Sequence, residues 1–314
     1  METYKSLRDQ VLYQLDEINA SASTRANVNN ALNQAHQQRT TEYDWPFMLW
    51  PYEETISVVA NQQKYTLHQE FDRAFYFKNL TNDEMLVEIP HRNYYTFSDN
   101  PNKATQGRHF AFVGMMPVQN QPSSASVLTI VSSSASDVGS TKGVVVRGET
   151  SDGVTTEQIN PNGLAAVSGL KQFTRIIEVT KLSAWAGTMT MTSNAGAVTN
   201  LKLFDEEYGR KYQTIQLLWI PQSSYSIGYK FFRKPVVLSR DNDLTDIPHP
   251  YDQILVWDAL LILAAYDGTL DTGRVSVWEK NQNRIEMNLY AAYSGGRSVV
   301  GQGRKVRLLD ELED

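Results

Sequence analysis

Five histidines, a short run of aspartates and a set of late glycines are the residues of this 314-residue chain whose types could do chemistry. The histidines, His36, His68, His91, His109 and His249, would suit a metal or a general base if two stood one helical turn apart. None forms His-Glu-x-x-His and no two lie at i and i+4. Asp241, Asp243 and Asp246 gather carboxylates of the kind hard cations favour. Their spacing lacks the glycine and the distal glutamate of a calcium loop, so a solvated loop ahead of a helix is expected. Gly295, Gly296, Gly301 and Gly303 hint at a phosphate cradle, yet no strand precedes them, no helix clearly follows and Gly-Lys-Ser/Thr is missing. No Gly-x-Ser-x-Gly elbow occurs, and the absence of cysteine removes thiolate nucleophiles, disulfides and Cys-based zinc sites together. The expectation is a chain without catalytic residues, metal or cofactor. One charge stands out: Asp258, set among Trp257, Ala259, Leu260 and Leu261, is either paired in a core or turned to a partner. A structural partner is the expected reading.

The element that must position Asp258 runs from Ile247 to Gly268 and reads as a helix with both ends marked. Pro250 suits a first helical position, Asp252 the positive end of the dipole and Gly268 a left-handed stop. Nearly every residue from Ile254 to Tyr266 is apolar, so the helix is expected to be covered on nearly all sides. At ~1.5 Å per residue it spans roughly 25 Å, short of a membrane crossing, and Asp252, Asp258 and Asp267 interrupt it.

Cover is available from other helices. Tyr4, Leu7, Val11, Leu12, Leu15 and Ile18 share one face of a helix of about five turns. After Ser21-Ala-Ser-Thr24, with Thr24 as N-cap, a second helix sets Val28, Ala31, Leu32 and Ala35 against Asn29, Asn30, Gln34, Gln37 and Gln38. Late in the chain, Asp271 to Tyr293 carries Val275, Trp278, Ile285, Leu289 and Ala292 on one face, and is expected to pack antiparallel to the apolar helix. Between the second helix and the first strands, the prolines of Tyr43-Asp-Trp-Pro-Phe-Met-Leu-Trp50-Pro51 stop helix. Trp45, Phe47 and Trp50 are then expected to anchor in a core, the alternative being an exposed partner patch.

From Thr55 the period changes to two. Ile56 and Val58 with Tyr65 and Leu67 around Asn61–Lys64 read as one β-hairpin; Phe75 and Phe77 with Met85, Val87 and Ile89 around Asn79–Glu84 read as a second. A short helix and loop is expected from His91 to Asn102. Around Gln119 the composition turns to Ser, Thr, Gly and Val, with strand-like runs at 127–132, 142–148, 174–182 and 187–192. Turns fall at 151–153, 160–163 and 193–196. A β-sandwich of immunoglobulin-like type is expected over 119–200, inserted into a loop, because Phe110-Ala-Phe112 and Ile215–Ile220 resemble strands of the surrounding body. The fold class is therefore α+β: a bundle of about four helices with β-hairpins (1–118 with 201–293), an inserted all-β domain (119–200) and an extended tail (294–314).

Composition bounds the function. With 41% hydrophobic and 20% charged residues the chain is expected to be a soluble globular protein. A formal charge of -6 argues against a broad basic face for gripping nucleic acid. The Met1-Glu-Thr-Tyr start carries no signal-peptide pattern, so synthesis in the cytosol is expected.

Four stretches, in order, resemble the head-to-tail adaptor proteins of tailed bacteriophages. They are Val28-Asn-Asn-Ala-Leu32 leading to Asp44-Trp-Pro-Phe47; Val58-Val-Ala-Asn-Gln-Gln-Lys-Tyr-Thr-Leu67; Phe231-Phe-Arg-Lys-Pro235 with Leu238; and Ile247-Pro-His-Pro-Tyr251 with the apolar helix to Tyr266-Asp-Gly268. His68 departs from the proline such proteins often carry there, and the 119–200 insert is unmatched. The resemblance implies a non-enzymatic virion protein at the head-tail interface, made in the host cytoplasm. It would bind the portal protein, form a homo-oligomeric ring, a dodecamer in that family, and dock a tail or nozzle protein. DNA would pass through its channel without specific binding, and no membrane would be involved. The residues expected to meet the portal are Gly295, Arg297, Gly301, Gly303, Arg304, Lys305, Arg307, Leu308 and Leu309, with Trp45, Phe47, Trp257 and Asp258 as structural anchors. The alternative is an adhesive or glycan-binding protein acting through the insert.

Overall fold

The computed structural model describes residues 2–17, 19–93, 108–266 and 272–293. Contacts divide the chain into two compact units, Met1–Pro51 with Phe231–Asp314, and Tyr52–Lys230.

Helices α1 (Tyr4–Gln14), α2 (Ala22–Glu42), α3 (Ile254–Tyr266) and α4 (Thr272–Tyr293) build the first unit. Thr3 caps α1 by accepting the Ser6 N–H, and Tyr4, Leu7, Val11 and Leu12 enter the core. The helix is shorter than its apolar period suggests. Asp16 takes a left-handed φ of 59°, and the N–H groups of Glu17 and Asp16 close back on the carbonyls of Leu12 and Tyr13, a Schellman stop. Ile18 lies outside the described residues. Ser21, not Thr24, caps α2, its Oγ accepting the Thr24 N–H at 3.2 Å. Ahead of α3 a single 3-10 turn, Tyr251–Gln253, carries the chain, so Pro250 precedes the helix and does not open it.

Leu7, Leu32, Ile254, Leu255, Ala259, Leu260, Trp278 and Leu289 share the helical core. Burial of α3 is complete only over its first two turns: Ile254–Val256 and Asp258–Leu260 are buried, Leu261–Ala264 half-buried, and Tyr266 is 80% exposed. The expectation of cover on nearly all sides fails there, although Leu261–Ala264 still pack against the core. Ala292 likewise faces solvent. Asp267, Gly268 and Asp271 lie outside the described residues.

The strands, which lie in the second unit except for the last three residues of β15, are β1 (Glu54–Val58), β2 (Lys64–Thr66), β3 (Phe71–Asn79), β4 (Glu84–Met85), β5 (Val87–Glu88), β6 (His109–Met116), β7 (Ser126–Ser132), β8 (Val144–Thr150), β9 (Gly153–Ile159), β10 (Val167–Phe173), β11 (Arg175–Lys181), β12 (Met189–Ser193), β13 (Val198–Leu203), β14 (Tyr212–Leu217) and β15 (Tyr225–Arg233). They form four sheets, ordered β1-β15-β3-β4, β2-β14-β6-β5, β10-β7-β12-β13 and β11-β8-β9. The second expected hairpin forms through β3 and β4, where the Asn79 side chain accepts the N–H groups of Thr81 and Asn82. The first does not. β1 pairs with β15 and β2 with β14, so the turn at Asn61 hands the chain from one sheet to another. His91–Asn93 is one 3-10 turn, and the rest of that expected loop, 94–102, lies outside the described residues.

β6 and β14 are antiparallel neighbours with Met116 opposite Tyr212, so the segment between them leaves and returns at one place on the sheet. That segment holds seven strands in two sheets around one apolar core, including Leu128, Ile130, Val146, Phe173, Ile176, Met191 and Leu201. Strands β9, β10 and β13 were not among the sequence-level runs. Lettered A to G in chain order, the sheets read D-A-F-G and E-B-C, which differs from the immunoglobulin order A-B-E-D and C-F-G. The chain is mixed α+β.

Candidate functional site

Helix α2 continues its buried stripe past Ala35 to Arg39, one turn further on, and this places a guanidinium between three helices. Arg39 Nε and Nη2 donate to Asp258 Oδ2 and Oδ1 at 2.6 and 2.9 Å, a bidentate pair. Its Nη1 reaches Glu286 Oε1 of α4 at 2.9 Å and Glu42 Oε2 at 3.3 Å, while Gln282 donates to Asp258 Oδ1 at 3.2 Å. Burial opposes the charge on Arg39, but hydrogen bonds and charge from Asp258 and Glu286 outweigh it and hold the group above its usual pKa. Burial, with Glu286 and Asp258 nearby, raises Glu42 above the usual carboxylate value although Arg39 pulls it down. Asp258 is therefore paired within the fold and joins α2, α3 and α4.

Beside this hub, four rings close over Tyr290 and Tyr293 in the last turn of α4. Trp45 stacks on Tyr290 at 5.1 Å and on Phe47 at 5.4 Å; Tyr43 meets Tyr290 edge-on at 4.7 Å. Phe47 and Tyr251 both meet Tyr293, the last described residue, at 5.3 and 6.1 Å. The Trp45 indole N–H donates to the Arg39 carbonyl at 2.7 Å, so clamp and hub share a residue. Trp45 is 3% exposed, the anchoring role expected of it, and each such ring pair adds about 0.5–1.5 kcal/mol beyond its buried area. Burial, with Tyr43 beside it, pushes the Tyr290 hydroxyl above its usual value. Trp257 is half-buried and packs on the same core.

The histidines do not converge. His36 is buried, accepts the Asp246 N–H on Nε2 at 3.1 Å, and is held below its usual pKa by burial against the opposing charge of Asp246. His68 accepts the Glu70 N–H, His109 stands edge-on to Trp219, and His249 meets Asp252 at 3.2 Å. The aspartates behind α3 separate too. Asp241 pairs with Arg8, Asp243 takes the N–H groups of Ser239 and Arg240, and Asp246, 3% exposed, pairs with Arg233 at 2.6 Å. The expectation of a solvated loop thus fails at Asp246, which Arg233 and His36 enclose. Among the described residues no group of three or more His, Asp or Glu is placed to hold a metal. No described helix is long and apolar enough to cross a membrane.

In the seven-strand module the polar burial is of another kind. Asp137 is fully buried and accepts from Ser132 Oγ at 2.6 Å and from the N–H groups of Ala186 and Gly187 at 2.8 and 3.0 Å. Burial works against its charge, but these donors and Lys142 prevail and hold it below the usual carboxylate range. Lys181 is 1% exposed and gives its ammonium to the Phe204 and Asp205 carbonyls at 2.6 and 2.9 Å; burial lowers its pKa against the acidic neighbours Glu207 and Asp205. Three strand edges are dressed. Gln121 exchanges both bonds with Ile176 of β11, residues 119 and 120 hold Asn200 and Thr199 of β13, and Glu157 takes the Leu170 and Lys171 N–H groups at the β10 bulge. Such cover blocks strand addition by a partner. The two rings of the 119–200 stretch, Phe173 and Trp185, are 0% and 3% exposed.

Gly295, Arg297, Gly301, Gly303, Arg304, Lys305, Arg307, Leu308 and Leu309 lie outside the described residues. Sequence reasoning missed Arg39, Glu286 and the clamp partners Tyr290 and Tyr293. A signal for Arg39 was present: it sits four residues after Ala35 and seven after Leu32, on the apolar stripe. No protein-family model matches the chain, and no curated protein matches it significantly.

Proposed function

We propose that this chain is a structural, non-catalytic protein of a tailed-bacteriophage virion: a head-to-tail adaptor that assembles as a ring beneath the portal, extends the DNA channel and docks tail or nozzle proteins. The observation that carries this reading is the clamp at the end of α4. A helical unit locked by the Arg39 hub fixes Tyr293 with Phe47 and Tyr251, immediately before a segment rich in glycine and arginine. A locked helical base suits an assembly subunit, and the residues that follow it, rich in glycine, arginine and leucine, are read as the portal-docking segment. The acidic balance of -6 suits a channel through which DNA slides without adhering. The seven-strand module is read as immunoglobulin-like in architecture but not in strand order, available to a tail protein. Glycan binding through that module is the weaker alternative, because its two aromatic rings are buried and give no stacking platform.

Removal of residues after Tyr293 tests the reading. The shortened chain is expected to keep its helical circular dichroism and to lose capture by immobilised portal protein; capture at full strength would overturn it.

A further inference from the structure

A groove along the outer face of α1 supports a ligand site that is independent of the adaptor reading. Its volume is about 570 Å³, within the range of small-molecule sites, and Lys5, Asp9, Gln10, Tyr13, Gln14 and Trp257 are among its lining residues. The core residues of α1, Tyr4, Leu7, Val11 and Leu12, lie on the opposite face, so packing does not require the side chains that α1 itself gives to the groove.

The groove side chains Lys5, Asp9 and Tyr13 are exposed, unlike the enclosed carboxylates of the helical unit. Asp246, Asp252 and Asp258 each have partners at 2.6–3.2 Å. In the groove, the one polar partner of the Asp9 side chain among the described residues is Arg8, its chain neighbour, at 3.9 Å. The side chains of Lys5, Tyr13, Gln14 and Trp257 make no hydrogen bond with described residues, and Gln10 uses its amide N–H on Glu2 and leaves its carbonyl open. The groove therefore offers an indole surface, a phenol ring, two amides, and one carboxylate whose charge Lys5 cancels. A phosphate or a strongly acidic chain finds no net positive field here. A ligand with one apolar C–H face and a rim of hydroxyls meets each group in kind: the face on the indole, the hydroxyls on carboxylate and amides, which accept and donate in adjacent pairs.

We propose that this groove binds a neutral saccharide, with a sugar ring stacked on Trp257 and its hydroxyls held by Asp9, Gln10 and Gln14. The test is affinity electrophoresis of the full chain through native gels containing dextran, glucomannan or hydroxyethylcellulose, with polygalacturonate as the acidic control. Retardation is expected in at least one neutral gel and not in the acidic one. Asp9→Asn and Gln14→Ala, which touch no core residue, are expected to weaken it about tenfold with an unchanged melting temperature. Trp257→Ala is expected to abolish it, and the two polar variants keep the test valid if that protein fails to fold. Absence of retardation in every neutral gel, or undiminished retardation of both polar variants, would overturn the proposal. So would loss of self-association by Trp257→Ala in sedimentation without any saccharide effect, since the groove would then seat a second copy.

Discussion

The hub between three helices and the seven-strand module bury charge in opposite ways. Between α2, α3 and α4 a guanidinium is met by side-chain carboxylates. In the strand module a carboxylate is met by main-chain N–H groups and a hydroxyl, and an ammonium by main-chain carbonyls. The cause is the backbone. A helix interior spends every N–H and C=O on itself, so a charge between helices must find a side chain; the loops joining strands have main-chain groups to spare. The helical unit is consequently held together by residues far apart in sequence whose removal leaves a bare charge, whereas the strand module is pinned by loop geometry.

The sharpest way to break this contrast is Asp258→Ala. It leaves Arg39 between three helices with Glu286 and Glu42 but without its bidentate partner, and is expected to cost about 1.5–3 kcal/mol. Hydrogen exchange should show the loss in α2, α3 and α4 while strands β7 to β13 keep their protection; uniform loss in both regions would erase the distinction.

Acid should separate the regions next. His36 is depressed by burial, so the unfolded chain takes up its proton near the ordinary value of 6.5 while the folded chain resists. Stability from this group is present above pH 6.5 and is lost as pH falls below it toward the folded value. Asp137, held below 3.8, gives the strand module a contribution that persists until pH falls under that value. Glu42, raised, runs against His36 at lower pH, but it is half-exposed and the effect is screened. A thermal melt read by helical circular dichroism should fall between pH 6.5 and 5 in the wild type and stay level in His36→Gln.

The smallest effect sharpens the local end of the comparison. Ser21→Ala removes the α2 cap and is expected to cost about 1 kcal/mol, measured by urea unfolding, with no change in strand protection.

Local signals read well where the physics is local. The apolar stripe of α2, the α4 helix, the strand runs of β7, β8, β11 and β12, and the turns at 151–153 and 193–196 all follow from period and turn chemistry. Failure came where partners are distant. β1 and β2 have a hairpin pattern, but β15 and β14, over 140 residues later, claim them. β9 was missed because Val-Thr-Thr-Glu-Gln is an edge strand with polar faces on both sides, and β10 because Leu170 points outward while Gly169 and Lys171 take the inner positions. Asp16 stopped α1 early through a left-handed turn that an apolar Leu15 and Ile18 conceal.

By itself the sequence determined most of the helices, several of the strands, and that Asp258 needed a partner. It did so because backbone period and the cost of a buried charge are properties of short stretches. Only the tertiary structure decided that the partner is Arg39, 219 residues earlier, with Glu286 behind it, and that Trp45, Tyr290 and Tyr293 close one clamp. A side chain's choice among distant partners depends on which helices meet, and that is fixed only when the whole core packs.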